Sequence, residues 1–594
     1  MRCTLDFLLF DWLQVDKTLI TRERFAEHSR ETFTAVLDTC ERIAREKFAP
    51  FNRLIDAEEP RFDGERVHLP RATQEAVAAY AESGMLAAAQ DYEVGGMQLP
   101  CVVEMAGNAF FSRASVGLSA YAMLTTGNAS LLMAHGTPRQ REVFARREFA
   151  GQWLGTMCLS EPQAGSSLSD ITTRAELEDE ADPLGPRYRL RGHKMWISGG
   201  DHELSENIVH LVLAKIPGAD GKLVPGTRGI SLFIVPKHLV TADGHLSGER
   251  NDVQLAGLNH KLGYRGTTNC LLNFGERGGA IGYLVSQPGE GLRCMFHMMN
   301  EARIGVGLGA VMLGMAGYEA SLDYAKQRPQ GRPMGPHGKD ASQPQRPIIE
   351  HADVRRMLLA QKSYVEGGLA LELYCARLVD ELHTGEGRAG TQALLDVLIP
   401  IAKSWPSEWC LEANSLAIQV LGGYGYTRDF PVEQYWRDNR LNMIHEGTHG
   451  IQGLDLLGRK VVQQGGASLA ALRARVQQTV ARAEPTEWAE QARQLAAALA
   501  QIGDATEQAW STGDAEAALA NAVPYLQAFG HAVLAWLWLD VVLALKDTSN
   551  GDFSEGKRAA ARYFYAYEPP RIDAWLAVVA RREPLCRQIK AEWL

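Results

Sequence analysis

The strongest constraint on the fold is a change of hydrophobic period at Gly151. Before it, apolar residues recur with helical spacing, as in Glu31–Lys47, Arg71–Ala89 and Arg139–Phe149. From Gly151 to about Pro288 the chain switches to short β-rich runs set off by Gly and Asp clusters. Tyr188–Leu190, Asn207–Leu213, Gly229–Val235 and Thr268–Phe274 read as strands. Helical spacing returns at Leu292 and runs to about Lys326. It breaks over residues 327–347, rich in Pro, Gly and Gln, and resumes from Glu350 to about Gln464. Gly465–Gly466 reads as a linker, and residues 467–594 are Ala-rich and helical again. Such segregated blocks predict an α+β multidomain protein, mainly α, and not a doubly wound sheet. The expected division is an N-terminal extension (1–30), a helical domain (31–152), a middle β domain (153–288), a second helical domain (289–464) and an extra C-terminal helical domain (467–594).

Charge and cysteines narrow the classes. With 61 Lys plus Arg against 71 Asp plus Glu, the formal net charge is −10, which argues against a general nucleic-acid binder. The nine cysteines are scattered, with no C-x-x-C spacing. No disulfide framework and no metal site are expected, and a reducing, cytoplasmic location is. The first residues, Met1–Leu13, carry Asp6 and Asp11 and lack a basic lead, so no signal peptide is read there. The longest apolar run, Ala532–Leu545, is interrupted by Asp540. It is shorter than the ~20 residues of a membrane span and is expected to be a buried helix.

Four stretches carry the chemistry. Arg437–Gln452 holds Glu446 followed by Gly447 and Thr448, and a Gly after a carboxylate permits a sharp turn that presents the side chain. Alone, Glu446 reads as a surface or capping carboxylate, as isolated ones are. Gln419–Tyr426 contains Gly422, Gly423 and Gly425, which suit either a close cofactor phosphate or a helix end. Met157–Ser166, at the helix-to-strand boundary, offers Ser160 and Ser166 around a turn at Pro162. In Lys194–Ser198, strand alternation puts Trp196 and Ser198 on one face, a flat ring beside a hydroxyl. A lone Trp more often packs in a core.

In this order the four resemble the acyl-CoA dehydrogenase family of flavoproteins. The matching segments are MCLSEPQAGS at 157–166, Trp196-Ile197-Ser198, the Gln419–Tyr426 glycine stretch, and Arg437-Asp438 with Glu446-Gly447-Thr448 and Ile451-Gln452. The resemblance covers about residues 31–460. The long tail and the Pro-rich excursion resemble the family's long, 3-methylmercaptopropionyl-CoA-dehydrogenase-like branch, which has an extra C-terminal helical domain.

The resemblance implies FAD as cofactor and an acyl-CoA substrate oxidised to a trans-2-enoyl-CoA. Glu446 would remove the α-proton while hydride passes from the β-carbon to flavin N5, and the Glu446 amide would help hold the thioester oxygen. By the same match Met157, Cys158, Leu159, Ser160, Ser166, Trp196, Ile197, Ser198 and Arg328 line the flavin and pyrophosphate. Gln419, Gly422 and Gly423 reach FAD across a homodimer interface, and Thr448 and Gln452 touch its adenosine diphosphate part. Ser166, Asn300, Glu301, Arg303 and Gly447 contact acyl-CoA, and electron-transfer flavoprotein is the expected acceptor. The alternatives are an acyl-CoA oxidase on the same scaffold and the family's DNA-binding, alkylation-response branch. The latter requires a basic tail, whereas Arg473, Arg475 and Lys557–Arg562 are interspersed with acids and read as solvated helix faces.

Three positions depart from the family pattern: His445 stands where Tyr is usual, His449 where a small or amide residue is, and Ser167 where Asp is. Histidines beside the base either lower its pKa when protonated or reshape the pocket. The Arg328 segment is one residue shorter than the family's and lacks its Phe.

Overall fold

Asn207–Lys215 and Ile230–Pro236, apolar at nearly every position, become strands buried along their whole length, as runs covered on both faces are. They belong to an eight-stranded sheet. Its strands are β1 (Trp153–Cys158), β2 (Arg174–Asp179), β3 (Arg187–Ser198), β4 (Asn207–Lys215), β5 (Ile230–Pro236), β6 (Val253–Leu258), β7 (Asn269–Phe274) and β8 (Ala280–Val285). The order is β6-β7-β3-β8-β5-β4-β1, with β2 pairing β3 and β4. Pairing is antiparallel except for β1 with β4 and the single contact of β2 with β4. Leu232 and Ile234 face a core shared with Leu131, Phe144 and Trp153, while Phe233 and Val235 face one with Tyr188, Leu190 and Leu272.

The computed structural model describes residues 1–385, 388–545 and 551–594 and divides into two units. Glu31–Gly305 form one, which holds the sheet and the helices α1 (Arg30–Ile43), α2 (Arg71–Glu82), α3 (Cys101–Ala114) and α4 (Val116–His135). Met1–Arg30 and Val306–Leu594 form the other. The division falls inside the long helix α5 (Gly291–Gln327).

In the sheet-bearing unit, His202 and His210 are each 1% exposed. Burial, with the Lys237 ammonium adding to it, pushes both imidazoles down to about 3, so they are neutral in the fold; Asp201 pulls the other way. The folded value lies below the unfolded one, so the unfolded chain takes up the proton first. Stability from this source is intact above pH 6.5 and falls as pH drops toward 3. At pH 5 the two histidines together cost about 4 kcal/mol. The melting temperature should therefore fall from pH 7 to pH 5, and His210→Gln should make the slope shallower. A midpoint that is flat or rises toward acid contradicts this.

The second unit is helical: the rest of α5, α6 (Ala352–Thr384), α7 (Arg388–Leu421), α8 (Val432–Asn439) and α9 (His449–Asp455). It continues with α10 (Ala467–Ala483), α11 (Ala489–Trp510), α12 (Ala522–Leu543), α13 (Gly551–Tyr567) and α14 (Pro570–Ala580). Gln464, Gly465 and Gly466 are all left-handed, which makes the break before α10. Residues 327–347 form an exposed arm closed by a Pro329–Pro347 bridge, with a small hairpin of Met334–Gly335 and Gly338–Lys339.

The first thirty residues belong to this unit. Trp12 Nε1 donates to Asp540 Oδ2 at 2.7 Å, Lys557 Nζ to Thr4 Oγ1 at 2.8 Å, and Phe7 meets Phe553 edge-on. The solvated-face reading of Lys557 is thereby corrected: it is 2% exposed and lies 2.8 Å from Glu366 Oε1. Arg562 is paired with Glu487 at 2.9 Å. The length argument against a membrane span is corrected too, because α12 has 22 residues and passes the test of length and composition, as does α5. Of each apolar window, 83% is buried within the protein, as in a core helix.

The tail supports the helices before it. Trp405 Nε1 on α7 donates to His531 Nδ1 on α12 at 3.2 Å, and Trp409 Nε1 to Gln527 Oε1 at 2.9 Å. A Cβ on Gly453 of α9 would lie 2.7 Å from the Ala522 carbonyl, so α9 and α12 touch at backbone distance.

Candidate active site

Glu446 is reached through a line of buried amides. Asn414 Nδ2 donates to the Leu313 carbonyl at 2.8 Å, and Asn439 Nδ2 donates to Asn414 Oδ1 at 2.7 Å and to the Ala310 carbonyl at 3.1 Å. Asn442 Nδ2 donates to Asn439 Oδ1 at 2.9 Å. His445 Nε2, 2.9 Å from Asn442 Oδ1, ends the line. Since Asn442 Oδ1 accepts there, His445 carries its proton on Nε2. Burial, with the Lys403 charge adding to it, pushes its imidazole down to about 3. Of the two roles open for this histidine, the structure supports shape and position over a cationic neighbour.

The chain then turns left-handed twice, at Glu446 (φ +55°) and Gly447 (φ +97°). For a glutamate this conformation costs about 1–3 kcal/mol and persists only where its surroundings over-determine it. They do. Gln452 Nε2 donates to the Glu446 carbonyl at 2.9 Å, and Lys403 Nζ to the Gly447 carbonyl at 2.5 Å. Thr448 caps α9, its Oγ1 accepting from the Ile451 amide. His449 Nδ1 lies 3.1 Å from Ser404 Oγ, and its Nε2 lies 2.9 Å from Glu408 Oε2. A Cβ on Gly447 would fall 2.6 Å from Gln452 Nε2, so only glycine fits. Gln452, expected at the cofactor, is fully buried and supports this turn.

Elsewhere in the same unit Gly422 (φ +61°) stops α7. Open space surrounds Gly422 and Gly423, whereas a Cβ on Gly425 would strike the Ile418 carbonyl at 2.4 Å. Gly425 is thus packed against the helix end, while Gly422 and Gly423 face open space. Gln419 is exposed. The Arg328 guanidinium lies 5.7 Å from the ring of Tyr424, which brings the Pro-rich arm and the glycine turn together.

The sheet-bearing unit holds the other candidates. Between Lys194 and Ile197 the β3–β7 register slips, and Trp196 adopts φ +66° at this bulge. Leu190 and Lys194 are buried, but Trp196 is turned out with 59% of its surface exposed, so it is not a core residue. Ile197 is buried beneath it, and Ser198 Oγ lies 3.4 Å from Asn269 Nδ2. The Met195 amide donates to the Ser160 carbonyl at 3.0 Å and Thr156 Oγ1 to the Ser198 carbonyl at 2.6 Å, so Met157–Ser160 and Trp196–Ser198 lie side by side. Cys158 is buried, Met157, Leu159 and Ser160 are half-buried, and Ser166 is exposed on the following loop.

That loop is shaped by a residue sequence reasoning passed over. Glu161 Oε2 accepts from the Thr172 amide at 2.7 Å and Oγ1 at 2.9 Å; Oε1 accepts from the Thr173 amide at 3.0 Å and Oγ1 at 2.6 Å. Lys194 Nζ, fully buried, donates to Glu161 Oε1 at 3.0 Å and to the Leu159 carbonyl at 2.9 Å. Both residues stood inside quoted motifs. Asn439 and Asn442 also stood inside one, Arg437–Gln452, whereas Lys403 and Asn414 carried no sequence signal.

On α5, Asn300, Glu301 and Arg303 lie within one turn, and Arg303 is 4% exposed. The Glu301 carboxyl is 3.6 Å from His297 Nε2. Its side chain is 44% accessible, and desolvation pushes its carboxyl up to about 7.

Comparison with known proteins agrees with this architecture. Four family models match in sequence: acyl-CoA dehydrogenase N-terminal domain at 30–152, middle domain at 156–276, C-terminal domain at 289–461, and acetyl-CoA dehydrogenase C-terminal like at 472–589. The chain is 35% identical to 3-methylmercaptopropionyl-CoA dehydrogenase of Ruegeria pomeroyi over 94% of its own length and 93% of the relative's. It is 34% identical to the broad-specificity linear acyl-CoA dehydrogenase FadE5 of Mycobacterium tuberculosis over 94% and 93%. Caenorhabditis elegans ACDH-11, solved with C11-CoA, superposes with a TM-score of 0.77 at 20% identity, covering 97% of this chain and 94% of that one. A Bacillus anthracis acyl-CoA dehydrogenase complexed with FAD gives 0.74 at 20% identity, covering 96% and 90%. The chain therefore belongs to the acyl-CoA dehydrogenase family, as a long, FAD-dependent member with a fourth, C-terminal helical domain.

Proposed function

We propose that this acyl-CoA dehydrogenase removes the α-proton of an acyl-CoA thioester with Glu446 and releases a trans-2-enoyl-CoA. The observation that carries the reading is the double left-handed turn at Glu446–Gly447, held by Gln452 and Lys403. A carboxylate carried on a strained backbone turn that buried donors keep in place is a preorganised base. His445, neutral and bound to Asn442, leaves proton abstraction to Glu446 alone. The Glu446 amide helps hold the thioester oxygen as charge develops on it.

The residues fit FAD. Trp196 offers an exposed indole beside Ser198 and the Ser160 strand end, a setting for a flat ring. Gly422 and Gly423 leave open space against their backbone, and Arg328 supplies a cation beside Tyr424. Bound FAD supplies the two-electron acceptor for the hydrogen leaving the β-carbon. Gln419, Gly422 and Gly423, exposed beside Tyr426 (90% exposed), support a homodimer in which they meet the partner's cofactor. Asn300, Glu301, Arg303, Ser166 and Gly447 are assigned to acyl-CoA, electron-transfer flavoprotein to the acceptor, fatty acid metabolism to the pathway and the cytoplasm to the location. The scattered cysteines, with no C-x-x-C spacing, support the last.

Anaerobic bleaching of the flavin band by short, long, branched, aryl and methylthio-substituted acyl-CoAs tests the reading. The similarity to the Ruegeria and Mycobacterium enzymes favours methylthio or linear chains, so these should bleach fastest. No bleaching by any thioester overturns the reading. Hydrogen peroxide release in air without an added acceptor assigns the oxidase variant of the same chemistry.

A further inference from the structure

One of the residues that hold the turn, Lys403, comes from a stretch of α7 that sequence motifs do not mark. Helix α7 contains two internal prolines, Pro400 and Pro406, and Lys403 lies between them. Each proline takes away one helical hydrogen bond and frees the carbonyl four residues earlier. In this loosened stretch the Lys403 side chain is fully buried. A buried ammonium requires acceptors. One that Lys403 uses, at 2.5 Å, is the carbonyl of the residue after Glu446.

The next side chains of α7 reach the next residue of the turn, Ser404 Oγ and Glu408 Oε2 flanking the two nitrogens of His449. Residues 447 and 449 are thus both tied to one helix, and that helix is braced on the tail through Trp405 and Trp409. Among these ties the Lys403 bond is charge-assisted and nearest to Glu446. Charge-assisted bonds are roughly twice as strong as neutral ones. Two consecutive left-handed residues depend on such ties, and together with Gln452 the Lys403 bond sets where the carboxylate points.

We propose that Lys403 is a positioning residue of the reaction: anchored in α7, its ammonium holds the Gly447 carbonyl and fixes the turn that presents Glu446. The inference rests on Glu446 being the base. It predicts a defect in rate and not in binding, since a base displaced by about 1 Å loses roughly 10²-fold.

Two measurements test it, both on the FAD-loaded full chain. In anaerobic single turnover with the fastest acyl-CoA, Lys403→Met should lower the limiting bleaching rate about 10²-fold. Half-saturation should stay within about threefold, and Lys403→Arg, which keeps a charged donor, should recover about tenfold of the loss. Bleaching by Lys403→Met within threefold of wild type overturns the proposal, as does a defect confined to half-saturation, or Lys403→Arg no faster than Lys403→Met.

The second measurement needs no turnover. Amide hydrogen exchange in residues 444–452 should speed up about tenfold or more in Lys403→Met and in the shorter, neutral Lys403→Gln, with residues 467–483 unchanged. Unchanged exchange at 444–452, or an equal rise in both segments, overturns the proposal. If wild-type protein bleaches with no thioester, the dehydrogenase reading fails by itself and the exchange result still judges Lys403.

Discussion

Glu446→Gln protein should purify yellow, bind acyl-CoA, and lose about 10⁴-fold of its flavin-bleaching rate, the upper end of what a general base contributes. The substitution is isosteric. The backbone turn at φ +55° is held by Gln452 and Lys403 through the carbonyls of residues 446 and 447, which the substitution leaves in place. The Asn414–Asn439–Asn442–His445 line also stays intact. Fold and cofactor content should therefore match wild type, which separates chemistry from assembly. His445 cannot substitute as base: its Nε2 proton is engaged with Asn442, and burial keeps the ring a poor proton acceptor, at about 3. Absorbance at saturating acyl-CoA checks this. Bleaching within tenfold of wild type would mean that another group takes the proton.

Lys194→Met should destabilise the sheet-bearing unit by about 3–5 kcal/mol and empty it of FAD. Lys194 is 0% and Glu161 2% exposed at the side chain, with 3.0 Å between them. Burial alone would raise the Glu161 carboxyl, but the Lys194 charge and the Thr173 and Thr172 donors outweigh it and hold it at about 2. Removing the lysine leaves an ionised carboxylate buried with only the neutral donors of Thr172, Thr173 and Gln163. The same pair joins β3 to the loop of residues 160–173, so its loss releases Ser160 from Met195 and disorders the strand end beside Trp196. The double change Lys194→Met with Glu161→Gln should restore most of the lost stability, because no charge is then stranded. The folded pKa of Glu161 lies below its unfolded value, so its stabilisation is complete above pH 4.5 and is lost as pH falls toward 2. Thermal melting and the ratio of flavin to protein absorbance measure both effects. A single variant that melts and binds FAD like wild type contradicts this account of the loop.

The block order of helices and strands was legible because period is local: nine residues of β4 and seven of β5 announce a doubly covered strand by themselves. The bulge at Trp196 was not, since it arises from register against β7, more than seventy residues away in sequence. The N-terminal thirty residues read as an extension for the same reason. Their partners, such as Asp540 and Lys557, lie over five hundred positions downstream. In the candidate site, Glu446, Gly447 and Thr448 were marked by their types in a row. Lys403, which holds them, was not, because it looks like any helical lysine until its burial is seen. Gln452 was marked, but its position in the motif did not show that it donates to the Glu446 carbonyl.

The most direct test of the central claim follows the α-hydrogen itself. Wild-type protein, made anaerobic, is mixed in ordinary water with one equivalent of its fastest acyl-CoA carrying two deuterons at Cα, and the product is analysed by mass spectrometry once the flavin has bleached. The account predicts a 2,3-unsaturated thioester that has lost one deuteron from Cα and one hydrogen from Cβ, with no such product from Glu446→Gln in the same time. A product that keeps both deuterons, or one formed equally fast without the Glu446 carboxylate, would contradict it.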